Sequence, residues 1–138
     1  MFHRKSSLDG ACIEAIVKKV LKEENIKRAD LSIVLAGDAL MRKMNKKFFS
    51  KNETTDVLAF DLRFPGEKSA ALTADVVVCR DRAVLMAQRL KVPLGQELAR
   101  YIIHGILHLA GYDDTTPAQK SKMWKRQELL LRKIVDVL

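Results

Sequence analysis

Residues 104–114 read His104-Gly105-Ile106-Leu107-His108-Leu109-Ala110-Gly111-Tyr112-Asp113-Asp114. The segment has the form of a helix that carries two histidines and stops at a glycine, with acids just beyond. On a helix, residues four apart stack on one face with Cβ atoms roughly 5–6 Å apart, so His104 and His108 can grip a single metal ion. Gly111 supplies the left-handed residue that ends a helix and reverses the chain. That reversal can swing Asp113 or Asp114 back toward the same ion. Three protein ligands and an open position are the arrangement of a catalytic zinc site, in which bound water is the reagent.

A bare His-x3-His pair is more often a hydrogen-bonded core or surface feature than a metal site, so the surroundings decide. Upstream, Leu98, Ile102, Ile103, Ile106, Leu107 and Leu109 make the helix apolar nearly all round, the pattern of a buried helix. Burying two imidazoles is costly unless they find partners, and one ion satisfies both. The metalloprotease pattern H-E-x-x-H places a glutamate base after the first histidine. Gly105 stands there instead, so a peptidase reading lacks its base. Gly105 either leaves room beside a metal or allows close helix packing.

Further outward, Pro93 starts the histidine helix. After it, Thr116, Pro117 and Gln119 spell an N-cap, a first-position proline and a capping box for a final helix. Residues 80–90 form another helix. Near the amino end, Cys12, Ile13, Ile16, Val17, Val20 and Leu21 recur at helical spacing over 9–24. Leu31 to Leu35 is a short strand. Asp38 caps a helix over about 39–48 whose stripe is Leu40, Met41, Met44 and Phe48. Residues 56–62 and 74–79 read as two further strands around a Pro65-Gly66 turn, and periodicity leaves open one more strand in 63–70. The order α-β-α-β-β-α-α-α predicts an α+β fold. In it a small mixed β-sheet is covered by helices, with the metal site on a helix and the loop that follows it.

With 138 residues and no linker or repeat, a single domain over 1–138 is expected. Cys12 and Cys79 are too few and too far apart for a disulfide framework, which suits reduced thiols in a cytoplasmic protein. Neither a signal core nor a membrane-spanning run is visible. The formal charge of +8 and a pI near 9.7 fit either a solvated basic surface or a polyanionic partner. The most compact basic cluster is Arg42, Lys43, Lys46, Lys47 and Lys51. It leads into Thr55-Asp56, so Lys46, Lys47 and Lys51 are the expected contacts to the backbone of a polyanionic partner. Asp56 and Asp75 have the ordinary role of acids that close turns or bond backbone amides.

The segment from His104 to Asp113 resembles the motif H-G-x-L-H-L-x-G-Y-D-H of the YbeY-type endoribonucleases, departing at the last position, where Asp114 replaces histidine. Thr55-Asp56-Val57-Leu58-Ala59-Phe60 is similar to that family's T-D-V-L-S-F. Met44-Asn45, Ala74-Asp75-Val76, and Met123 with Glu128 follow in order. The resemblance implies His104, His108 and Asp114 as ligands of one divalent ion, zinc foremost. It also implies endonucleolytic cleavage of single-stranded RNA in rRNA maturation, at the small-subunit 3′ end, and in ribosome quality control, with rRNA and the ribosome as partners. Asp113 holds the family's aspartate position, suited to orienting a histidine. By the same alignment the arginine associated with RNA falls on Phe49, and a lysine is kept at Lys51. No catalytic base is assigned. Two alternatives stay open: an RNA- or ribosome-binding protein whose catalysis has faded, and a metal hydrolase of another substrate.

Overall fold

A computed structural model describes residues 10–64, 66 and 71–136. The elements follow the expected order: α1 (Gly10–Glu23), β1 (Ala29–Ala36), α2 (Asp38–Phe49), β2 (Val57–Asp61), β3 (Leu72–Cys79), α3 (Arg80–Leu90), α4 (Leu94–Leu109) and α5 (Pro117–Val135). The sheet has the order β1-β3-β2, with β1 parallel and β2 antiparallel to the central β3. It is the small mixed sheet of an α+β fold.

Why β3 takes the centre is written in its side chains. Ala74, Val76, Val77, Val78 and Cys79 are buried, the near-continuous apolar run of a strand covered on both faces. Over one face lies the main core, where Ile16 and Val20 of α1, Leu98, Ile102 and Ile106 of α4, and Leu130 and Ile134 of α5 meet Val76 and Val78. Over the other lies a smaller core in which Met41 of α2 packs with Leu58, Val77 and Cys79, and Met44 and Phe60 lie against it.

Helix α4 is held tightly to the sheet at Gly105. A Cβ there would stand 2.8 Å from Val76 Cγ1 and 3.1 Å from Val57 Cγ2. Both valines are β-branched and stiff, so close helix–sheet packing accounts for the glycine, and space beside a metal is not needed to explain it.

Several boundaries move for physical reasons. Strands β1 and β3 each begin two residues earlier than expected, because Ala29 pairs with the buried Leu72 and Asp30 with Thr73. Asp38 is the first helical residue of α2 and not its cap. Gly37 occupies the cap position without a side chain to offer, and Asp81 Oδ2 accepts the Asp38 N–H at 2.8 Å instead. The Asp38 carboxylate meanwhile accepts from Thr54 Oγ1 and Cys79 Sγ. At α5 the capping box forms as expected: Thr116 Oγ1 accepts from the Gln119 N–H, and Gln119 Oε1 from the Thr116 N–H, each at 3.1 Å. Both cysteines are reduced thiols, Cys79 buried and Cys12 half-buried. Pro65 and most of the further strand considered in 63–70 lie outside the described residues. Among the described residues no helix is long and apolar enough to cross a membrane.

Candidate metal centre

The last two turns of α4 carry His104 and His108 on one face, with ring centroids 4.7 Å apart and planes at 82°. The helix then closes in a Schellman motif. The Tyr112 N–H donates to the Leu107 carbonyl at 3.0 Å and the Gly111 N–H to the His108 carbonyl at 3.1 Å, with Gly111 at φ +105°. This reversal returns Asp114 to the histidine face, where its Oδ2 lies 3.4 Å from His108 Nε2. One ligand atom from each of His104, His108 and Asp114 falls within 4.8 Å of the others, so the group could hold a metal ion. Ligand atoms around a tetrahedral ion at about 2.0–2.1 Å stand roughly 3.3 Å apart. The His108–Asp114 edge already has that length, and the other two edges are no longer than 4.8 Å.

His104 is aimed by a residue the sequence reading did not single out. Its Nδ1 lies 2.7 Å from Gln127 Oε1 on α5. An amide oxygen only accepts, so Nδ1 carries the proton and Nε2 keeps its lone pair for a ligand role. The amide orientation is fixed in turn, because Gln127 Nε2 donates to Glu128 Oε2 at 3.1 Å. Glu128 also accepts two bonds from Arg100, at 3.0 and 3.1 Å, and Arg100 reaches back to the buried Glu97. Burial, which favours the neutral ring, holds the His104 imidazole below its ordinary pKa against the opposing pull of Gln127. Burial also raises the Glu97 carboxyl, with Arg100 opposing. Asp113, expected to orient a histidine, has a different contact: its Oδ1 accepts the Asp114 N–H at 2.8 Å and shapes the loop.

The two histidines and Asp114 line a cleft of about 610 Å³. Thr55, Asp56 and Arg82 also line it. Asp56 therefore does more than close a turn: its Oδ1 accepts from Arg82 Nε at 2.7 Å. Among the described residues the terminal nitrogens of Arg82 donate to no protein group, so they are free for a ligand. Tyr101, one turn before His104, is buried, and among the described residues its hydroxyl has no well-formed hydrogen bond. Burial comes first, and the nearby Asp56 and Glu97 carboxylates second, in raising its pKa above the ordinary tyrosine value. Trp124, 55% exposed, stands on the α5 side. Lys46, Lys47 and Lys51 are exposed at and just after the end of α2, and none of them lines the cleft. The cleft's own cations are Arg82, Arg100 and Lys120.

Comparison with known proteins gives this constellation a context. The profile of the family described as Endoribonuclease YbeY matches residues 3–135. The chain belongs to that family. An Endoribonuclease YbeY of Treponema denticola is 34% identical over 130 residues, 91% of this chain and 83% of the relative. One from Anaeromyxobacter sp. is 40% identical over 104 residues, 75% of this chain. The match spans 54% of that relative, about half its length. Among solved structures, the solution structure of TM1509 from Thermotoga maritima aligns with a TM-score of 0.63 at 25% identity, covering 93% of this chain and 85% of the other. Within the YbeY family this chain is thus a member whose histidine pair is followed by Asp114 and whose α2 ends in Phe48-Phe49.

Proposed function

We propose that this protein is a metal-dependent endoribonuclease that cleaves single-stranded RNA. Its role would be rRNA maturation at the small-subunit 3′ end and ribosome quality control in the cytoplasm, with the ribosome as a partner. One observation carries the reading: in a chain of the endoribonuclease YbeY family, two histidines and an aspartate converge in a cleft that Arg82 also lines. His104, His108 and Asp114 would hold one divalent ion, with zinc favoured by two imidazoles and a carboxylate at these spacings. An ion held there supplies a polarised phosphoryl oxygen and a bound water of lowered pKa.

The protein's own contribution is positional. Gln127 keeps His104 in the tautomer that leaves Nε2 unprotonated. Asp56 steadies Arg82 so that its terminal nitrogens meet a non-bridging phosphate oxygen in fork geometry. Lys46, Lys47 and Lys51 bind the RNA backbone beyond the cleft. A second reading, an RNA- or ribosome-binding protein with weakened catalysis, is favoured by Phe49 in place of the family's arginine and by the negative charge of Asp114. Elemental analysis of purified protein together with cleavage of a single-stranded oligoribonucleotide, with and without chelator, decides between them. Stoichiometric metal and chelator-sensitive cleavage support the nuclease. RNA binding without cleavage supports the second reading, and neither binding nor cleavage refutes both.

A further inference from the structure

Phe48 and Phe49 close α2 side by side, and neither is buried: they are 56% and 44% exposed. Both rest on Phe60 of β2, with centroids 5.3 Å apart at 76° for Phe48 and 5.5 Å apart at 35° for Phe49. Phe60 is itself half-buried against the smaller core. Lone exposed apolar side chains are ordinary on a protein surface. Two solvent-exposed rings that each pack on a third form an aromatic surface on a fixed base.

The helix that carries the two exposed rings is strongly basic, although Asp75 lies opposite Phe60 on β3. Arg42, Lys43, Lys46, Lys47 and Lys51 occupy the same helix and the turn after it, and Asp38 at the far end is the helix's one acid. Lys47 Nζ sits 5.3 Å from the centre of the Phe48 ring, so cation and ring are presented together. A partner that fits must offer flat apolar faces and regularly spaced negative charge, which unpaired bases on a phosphate backbone do. Chain connectivity links these rings to the cleft. Asn45 Nδ2 donates to the Glu53 carbonyl at 3.0 Å, pinning to α2 the loop that leads to the cleft residues Thr55 and Asp56. Phe60 lies four strand residues beyond Asp56, about 13 Å of extended chain.

We propose that Phe48 and Phe49, backed by Phe60, form a stacking platform that binds unpaired bases of an RNA strand whose continuation enters the cleft. The assignment rests on the RNA reading above and adds base stacking to it, on a surface separate from the residues that face the metal ligands. Sequence preference there is weak, because every base has a flat face. The demand is for single-strandedness, since paired bases cannot be stacked on from outside a duplex.

The test compares three probes on the full chain: a non-cleavable 2′-O-methyl single strand, an abasic strand with the same number of phosphates, and a duplex of the same length. The Phe48→Leu/Phe49→Leu double variant keeps apolar bulk at two exposed positions, and Phe48→Tyr/Phe49→Tyr restores the rings. The leucine pair should lower affinity for the base-bearing strand about tenfold or more. Affinity for the abasic strand, and the dependence of binding on salt, should stay as in the wild type because phosphate contacts are untouched. The tyrosine pair should bind like the wild type. Undiminished binding of the base-bearing strand by the leucine pair would overturn the platform while leaving the nuclease reading intact. So would a wild type that does not distinguish base-bearing from abasic strands. If the leucine pair instead abolishes a concentration-dependent dimer and leaves RNA binding unchanged, the surface belongs to a second copy and the proposal is wrong. A wild type that binds none of the probes removes the RNA reading itself, and the platform with it.

Discussion

Gln127→Met is the substitution that best isolates how the metal centre is aimed. Methionine matches glutamine in length and suits the apolar surroundings of Met123, Leu130 and Leu131 on the same buried face of α5. What it removes is the acceptor 2.7 Å from His104 Nδ1. Losing such an orienting contact costs about 10–100-fold in metal affinity, or about 1.4–2.7 kcal/mol. The folded apo-protein also loses a partner for a donor. A fully buried donor left unpaired costs about 1–3 kcal/mol, and because His104 is only partly buried the lower end, about 1 kcal/mol, applies. Competition with a chromophoric chelator measures the first quantity and urea unfolding of the metal-free chain the second. The expected result is a clear loss of affinity with a small loss of stability. Unchanged metal affinity would refute the argument that the amide fixes the tautomer and leaves Nε2 free.

Other outcomes follow from the same geometry. His104→Ala and His108→Ala should each abolish stoichiometric metal, read by elemental analysis, and full occupancy in either removes that residue from the ligand set. Asp114→Ala should weaken metal binding, whereas Asp114→His should retain it and hydrolyse RNA faster at neutral pH, because one fewer negative charge leaves the ion a stronger Lewis acid; wild-type metal affinity in Asp114→Ala would make Asp114 a loop residue only. Charge reversal of Lys46, Lys47 and Lys51 to glutamate should weaken RNA binding across sequences and flatten its salt dependence, with an unchanged slope pointing to a different surface. Burial raises the Glu97 carboxyl, so between its unfolded value of about 4.5 and the higher folded one the native chain binds more protons and loses stability as pH rises. The stability of wild type relative to Glu97→Gln should therefore decline through that window, and parallel pH profiles would show that Glu97 does not contribute to it.

Much of this fold is legible in the chain because its signals are local. Thr116, Pro117 and Gln119 specify the start of α5 by chemistry within four residues, and Gly111 specifies the end of α4 by its backbone freedom. The His104–His108 spacing likewise needs only helical geometry. What escaped the sequence depends on contacts between distant segments. Asp81 caps α2 from 43 residues away, so Asp38 looks like the cap until the two are seen together. Arg82 enters the cleft because Asp56, 26 residues earlier, holds it. Gln127 did leave a trace, a lone amide among Met123, Leu130, Leu131 and Ile134 at helical spacing. That pattern marks a buried polar group in need of a partner, although not that the partner is His104. Gly105 carried two readings until Val76 and Val57 were found against it.

Every proposed ligand comes from one short stretch of chain, from His104 to Asp114, and the helix turn between them is all that must form to bring them together. An ion held there closes a small loop and ties no remote segments to one another, so it removes little freedom from the unfolded chain. The unfolded polypeptide also keeps the whole ligand set within reach, and affinity for that state offsets part of any stabilisation. Metal should therefore behave as a removable reagent and not as a staple. Chelation should silence the chemistry while the thermal unfolding curve shifts only slightly, and the stripped protein should regain activity on adding metal without passing through refolding.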